Sequence, residues 1–313
     1  MSTTTVPPAN RPTTARGTGL EPHRGGWFVR IAVIVIVVIW LIPTAGVLIT
    51  SFRPEALVDT TGWWTVLAHP FQAGQWTLEN YRLALDTGGF ASAFLNSLAV
   101  AIPSTVIPIT IAAFAAYAFS WMDFRGRYVM FIAVVGLLVV PLQMALIPIL
   151  RLYNEGAIVG GYYVFPDLDL NGTFLGVWLA HTAFGLPLAI YLLRNYIGSL
   201  PSSIIESARI DGADHFTIFW RLIIPLSVPA LAAFAIFQFL WVWNDLLVAY
   251  VFLGGSRETR VLTLALQGLV GREGENWHLL TAAAFISMAL PLLVFFSLQK
   301  YFVRGLTAGA VKG

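Results

Sequence analysis

The chain has 313 residues, of which 58% are hydrophobic and 11% charged, with a mean hydropathy of +0.76; this lies well outside the range of soluble globular domains and leaves a polytopic membrane protein as the class. The lack of cysteine excludes disulfides, thiolate nucleophiles and Cys-ligated zinc. The net charge of +2 is informative only through its distribution.

Residues 1–26 are rich in Thr, Pro, Gly and Arg and nearly free of bulky apolar side chains, so they cannot bury a core and read as a disordered cytoplasmic tail. Residues 27–50 are an almost unbroken Ile/Val/Leu run, about as long as the ~20 residues a bilayer demands, and read as a first transmembrane helix. Arginines ahead of an apolar core also suit a signal peptide. This core is too long for one and lacks a small-x-small cleavage site, so a retained helix is expected. Residues 51–90 form an extracytoplasmic loop whose Trp63, Trp64, Phe71, Trp76 and Tyr81 suit a membrane interface.

A core of five further helices occupies 91–299. The expected spans are 91–121, with Asn96 and prolines 103 and 108; 128–150, with Pro141, Gln143 and Pro148; 173–193, with His181 and Pro187; 227–252, ending near Trp241, Trp243, Asn244 and Asp245; and 278–298, with Ser287 and Pro291. Residues 300–313 close the chain as a cytoplasmic tail, and no internal repeat is evident. With both termini and residues 194–226 placed in the cytoplasm, 12 of the 18 Lys and Arg residues fall inside, as the positive-inside rule requires.

One stretch between the apolar runs, residues 198–226, is too polar and too interrupted to cross a bilayer. Pro201 signals a helix start, Ser203 and Glu206 have capping-box spacing, and Gly212 supplies a stop. Asp214 suits the cap of a second helix whose Phe216, Phe219, Trp220, Ile223 and Ile224 share one apolar face, ended or kinked by Pro225. Ile204, Ile205 and Ala208 give the first helix an apolar face suited to a cleft on another protein; the alternative is a helix lying among lipid headgroups.

No G-x-x-x-x-G-K-[ST] loop occurs, so ATP hydrolysis is not expected of this chain. The histidines lack metal-ligand spacing and no G-x-S-x-G elbow is present, which leaves an enzyme reading without residues. Asp245 is the one acid within or at the end of a span, a cap or inter-helix partner on one reading and a lining of a translocation path on the other. Trp241 and Trp243 read first as an interfacial belt and second as a stacking surface for a sugar. Asn96, Gln143 and His181 are expected to hydrogen-bond between helices or to face a water-filled cavity. Prolines in nearly every later span free backbone carbonyls that need partners, which suits a transporter.

Glu206, Ala208, Gly212, Leu222, Ile224 and Pro225 resemble the EAA motif of inner-membrane permease subunits of ABC importers, with Ser207 in place of the second motif residue and Leu222 and Ile224 exchanging the two aliphatics. The stretches FQFLWVWNDLLVAY, TLENYRLAL and YFVRGLTAGAVKG are similar to carbohydrate-type permeases of the maltose importer class. The resemblance implies an all-α polytopic protein of six transmembrane helices in the type I permease fold, seated in the inner membrane. It implies an ATP-driven importer subunit for a sugar or oligosaccharide, with a second homologous permease, two ATPase subunits and an extracytoplasmic solute-binding protein as partners. Membrane lipid surrounds the chain, and no nucleic acid partner is implied. ATP and Mg²⁺ belong to the ATPase, leaving no cofactor for this chain. Glu206, Ser207, Ala208, Gly212, Leu222, Ile224 and Pro225 become the ATPase-coupling residues; Gly305, Leu306, Thr307 and Gly309 a further ATPase contact; and Gln143, Trp243, Asn244 and Asp245 candidates along the solute path. A secondary transporter and a non-transporting scaffold or receptor stand as alternatives. The first would call for ionisable groups near the bilayer midplane, where this chain offers only the peripheral Asp245.

Overall fold

A computed structural model describes residues 26–86, 89–270 and 276–308, with side chains of 301–308 left aside. The chain divides into two units, residues 1–46 and 47–313. Within the first lies most of helix α1 (Trp27–Ser51), whose 25 residues are apolar enough to cross a membrane.

In the second unit, residues 51–86 are a folded cap rather than an open loop. Arg53, 1% exposed, donates to the Thr61 carbonyl (3.2 Å) and to the hydroxyls of Thr61 (2.5 Å) and Thr65 (3.3 Å). Asn80 Nδ2 donates to the carbonyls of Ser51 (2.9 Å) and Arg53 (2.8 Å). Two short helices, α2 (Glu55–Thr60) and α3 (Glu79–Asp86), frame this knot, whose buried polar groups are bonded except for Arg53 Nε.

Helix α4 (Phe90–Trp121) is followed by a broken span, α5 (Arg127–Gly136) and α6 (Leu142–Glu155), bent by 107° at the break. The single helix expected over 128–150 is therefore bent sharply. Pro141 disfavours helical backbone at the residue before it, and Val140 is extended at φ −72°, ψ 117°. A hairpin of β1 (Ala157–Val159) and β2 (Tyr162–Phe165) turns on Gly160 and Gly161, both at positive φ, as a type I′ turn demands. It is a small addition to the all-α expectation. Helix α7 (Phe174–Ile197) runs longer than expected, and short helices α8 (Ser202–Ile210) and α9 (His215–Ile218) lead into a π turn at Phe219–Ile223 and helix α10 (Ile224–Trp243). The fifth span therefore covers His215–Trp243 and stops well before residue 252. Helices α11 (Leu247–Leu253) and α12 (Leu262–Leu269) follow, and α13 (Trp277–Ala308) carries helical backbone into the segment expected to be a tail. Among the described residues five helices, or six if the bent pair is one span, are long and apolar enough to cross a membrane.

Helices α4 and α7 form the closest pair, and alanines make that approach possible: Ala112, Ala113 and Ala116 of α4 share one apolar cluster with Ala189, Ile190 and Leu193 of α7. That cluster lies at the α8 end. A second, at the opposite end, joins Phe90, Ala93, Val100, Val177, Phe239, Trp243, Phe252 and Ala282. Between them runs a polar waist of Ser104, Thr105, His181, Thr182 and Gln238, all buried.

Prolines explain several of the bonds between helices. A proline lacks the N–H that would satisfy the carbonyl four residues earlier. Pro103 frees the Ala99 carbonyl, which takes the Trp178 indole N–H at 2.8 Å. Pro108 frees that of Ser104, which takes Gln238 Nε2 at 3.1 Å. Pro291 frees that of Ser287, which takes the Trp243 indole at 3.1 Å. Each kink thus becomes a tie from α4 to α7, α4 to α10, or α10 to α13, in a medium without water to fill the vacancy.

Candidate functional site

The segment between α7 and α10 forms a corner whose geometry follows from local signals. Helix α8 ends in a Schellman motif, with Ala213 N bonded to the Ala208 carbonyl (2.9 Å), Gly212 N to that of Arg209 (3.0 Å), and Gly212 at φ +84°. Asp214 then caps α9, its Oδ1 accepting from Thr217 N at 2.8 Å. That hydrogen bonding from Thr217 holds the Asp214 carboxyl below its ordinary value. The capping box expected of Ser203 and Glu206 does not form. Helix α8 starts two residues earlier than a Ser203 cap would place it, at Ser202 after Pro201, which puts Ser203 inside the first turn.

The π turn rotates the second helix away from the face expected for it. Ile218, Phe219 and Ile223 are buried, whereas Phe216 and Trp220 are exposed. Ile224 N reaches back five residues to the Phe219 carbonyl, immediately before Pro225 withdraws the next donor. Leu222 and Ile224 are half-buried and Pro225 is exposed.

The corner is fastened to the ends of two spans. Ile205 is 2% exposed and packs into the α4/α7 cluster, so of the apolar face expected to enter another protein this residue is turned into the chain itself, while Ile204 stays exposed. Phe219 stacks on Phe114 with centroids 4.5 Å apart. The Tyr117 hydroxyl lies 2.8 Å from His215 Nδ1, Arg209 donates to the Trp121 carbonyl (3.1 Å), and Trp121 Nε1 donates to that of Ile197 (3.1 Å). What remains outward is polar or small: Ser203, Glu206, Ser207, Arg209, Asp211 and Gly212, with the exposed Ile204 and Ile210 as its apolar spots. Ala208 is half-buried beneath them. Among the described residues, nothing beyond the glycine and its chain neighbours lies within 4 Å of where a Gly212 Cβ would stand, so the space before the corner is open. Gly305, Leu306 and Thr307 are in the backbone of α13, while Gly309 lies outside the described residues.

The four solute-path candidates do not converge. Gln143 is exposed in α6, just past the bend, with no hydrogen bond among the described residues. Trp243 is 3% exposed and committed to the Ser287 carbonyl, which removes it as a sugar-stacking surface. Asn244 Nδ2 donates back to the Leu240 carbonyl at 2.8 Å. Asp245 caps α11, accepting from Val248 N (3.3 Å) and Ala249 N (2.9 Å), with His181 Nε2 3.7 Å from its Oδ2. Asn96 bonds across elements as expected, to the carbonyls of Glu258 (2.8 Å) and Arg260 (3.0 Å). His181 makes no hydrogen bond at either ring nitrogen. The waist residue Gln238 was detectable as a lone amide within an apolar run facing proline-bearing spans, but no site reading of the sequence included it.

Residues 90–308 match the family model described as "Binding-protein-dependent transport system inner membrane component". The chain is 58% identical over 284 residues to the osmoprotective compounds uptake permease protein GgtD of Synechocystis sp., covering 91% of each. It is 44% identical to the alpha-glucoside transport system permease protein AglG of Rhizobium meliloti, with 92% of this chain and 97% of that one covered. In fold it resembles a chain of a bacterial ABC transporter involved in the import of the acidic polysaccharide alginate, at TM-score 0.69 and 21% identity over 88% of this chain and 96% of that one.

Proposed function

The chain belongs to the family of binding-protein-dependent transport system inner membrane components, and from that premise we propose how it works and what it moves. It is a multi-pass permease subunit of an ABC importer, a transport component and not an enzyme. The solute is a sugar or oligosaccharide; the alpha-glucosides and osmoprotective compounds named for its relatives are the first to try. A second homologous permease completes the path, an extracytoplasmic binding protein delivers the solute, and two ATPase subunits, which hold the ATP and Mg²⁺, drive the cycle. Both termini and the α8 corner face the cytoplasm.

The observation that carries the mechanism is the fastening of the α8 corner to α4, α7 and α10. Glu206, Ser207 and Gly212 face outward on a helix whose other side is locked into the bundle by Ile205. Nucleotide-driven closure of the ATPase pair pushes on this face, and because the corner cannot shift by itself, α4, α7 and α10 tilt with it. Leu222, Ile224 and Pro225 set the join between corner and span, and residues 305–309 add a second ATPase contact. Tilting exchanges inward for outward access, and coupling exists because nucleotide and solute bind the two states unequally.

The test is Glu206→Lys in the complete transporter. Membrane insertion is expected to stay intact while the ATPase no longer copurifies and uptake is lost. Uptake at the wild-type rate in the variant, or solute movement by this permease without any ATPase, would overturn the assignment.

A further inference from the structure

Three proline-freed carbonyls are claimed by side-chain donors; that of Ala183 is among those that are not. Pro187 in α7 removes the N–H that would close on the Ala183 carbonyl, and no side chain among the described residues donates to it. Ala183 lines a cavity of about 310 Å³ between the broken span and the α7/α10 pair, at the lower end of the ~300–1,000 Å³ typical of small-molecule sites. Leu138, Val140 and Ile149 of the broken span and Phe184 of α7 form apolar walls, and Trp241 of α10 forms another side.

Trp241 differs from Trp178 and Trp243 in the same way that Ala183 differs from the claimed acceptors. Its indole N–H donates to nothing among the described residues, although it is a strong donor inside a membrane protein. Behind it stands His181, 0% exposed, its ring edge-on to the indole at 5.3 Å and 90°. His181 thus packs edge-on against the Trp241 ring.

We propose that this cavity is a solute subsite in which the Trp241 ring stacks on the C–H face of a sugar ring, while its N–H and the Ala183 carbonyl bind sugar hydroxyls. An aromatic plate, an indole donor and a freed carbonyl on two lining residues, and aliphatic walls fit a ring that is apolar on its faces and hydroxylated around its rim. A purely apolar occupant would leave both polar groups unmatched. The proposal rests on the sugar-import reading and names which residues of this chain touch the solute.

The experiment uses the complete transporter in liposomes, with uptake of an alpha-glucoside and accessibility of a single thiol as its two readouts. Since the chain has no native cysteine, Leu138→Cys places one reporter on the cavity wall. The expected results are that transported sugar slows labelling of Leu138→Cys by a maleimide, that Trp241→Ala raises KM for uptake by about tenfold or more, and that Trp241→Phe, which keeps a ring without the N–H, recovers part of that loss. A Leu138 thiol labelled at the same rate with and without a sugar that is transported would overturn the subsite, as would one that never reacts because a neighbouring helix fills the cavity. Wild-type KM in Trp241→Ala would also overturn it. Failure of the wild-type complex to take up any sugar would instead refute the sugar-import reading, and the subsite with it.

Discussion

The corner at the α8 end and the waist at mid-bundle are built in opposite ways. At the corner, Ile205, Phe219 and Ile223 fill an apolar cluster, and Tyr117, Trp121 and Arg209 find partners 2.8 to 3.1 Å away. At the waist, four side-chain atoms stay buried with no hydrogen bond among the described residues: Ser104 Oγ, Thr182 Oγ1 and both nitrogens of His181. A buried polar group without a partner is costly, and a packed apolar helix moves only as a body. The contrast separates a part that transmits force from a part whose polar atoms are held in readiness.

The largest effect is expected from Gly212→Pro. The corner holds φ at +84° and uses the Gly212 N–H, whereas proline fixes φ near −65° and has no N–H. Insertion should survive, and solute-stimulated ATPase activity of the assembled transporter should vanish; wild-type stimulation would remove the corner from the coupling path. Next comes Ile205→Ala, which empties a fully packed position and is expected to cost about 2 to 5 kcal/mol, read as a lower melting temperature of the purified complex together with weaker coupling. If the melting temperature falls but coupling is unchanged, the corner need not be stiff to act.

The same comparison can be pressed from the waist. A Cβ at Gly185 would lie 2.7 Å from the Gln238 amide, so Gly185→Ala should displace Gln238 from Ser104 at a cost of about 1 to 3 kcal/mol, with coupling kept in proportion to the protein that remains folded. Loss of coupling beyond that proportion would show that the waist also transmits force. The smallest effect concerns pH. Because the Asp214 carboxyl titrates below its ordinary value, its cap is fully present above the ordinary carboxylate range and is lost only as pH falls through the lowered folded value. Asp214→Asn is expected to match wild type at neutral pH and to abolish that acid step, measured by melting across pH.

Much of the corner was readable from local chemistry, because a left-handed stop at Gly212 and a cap at Asp214 depend on residues a few positions apart. The spans were readable from their length and apolarity. The 107° bend was only half visible: Pro141 marks where helical backbone must fail, but the size of the angle depends on contacts between segments distant in sequence, such as those of α5 and α6 with α7. The π turn escaped because helical periodicity assumes 3.6 residues per turn; around it Phe219 and Ile223 are buried while Phe216 and Trp220 stay outside. The cap around Arg53 escaped too, since its order arises from bonds between residues up to 29 positions apart. Trp241 and Trp243, two positions apart, looked equivalent in the sequence; they parted only when the α13 carbonyl at Ser287 took one of them.

The proline ties constrain how the bundle can change shape. Each acceptor is a peptide oxygen, fixed along its helix axis by where the proline sits, and each donor is the tip of a nearly immobile ring or amide. Sliding any of α4, α7, α10 or α13 past its neighbour by a full helical turn, about 5.4 Å, would pull these contacts far out of bonding range. Turn-sized ratchets are therefore closed to these four helices without breaking a tie, and displacements that keep the ties move the set as one piece.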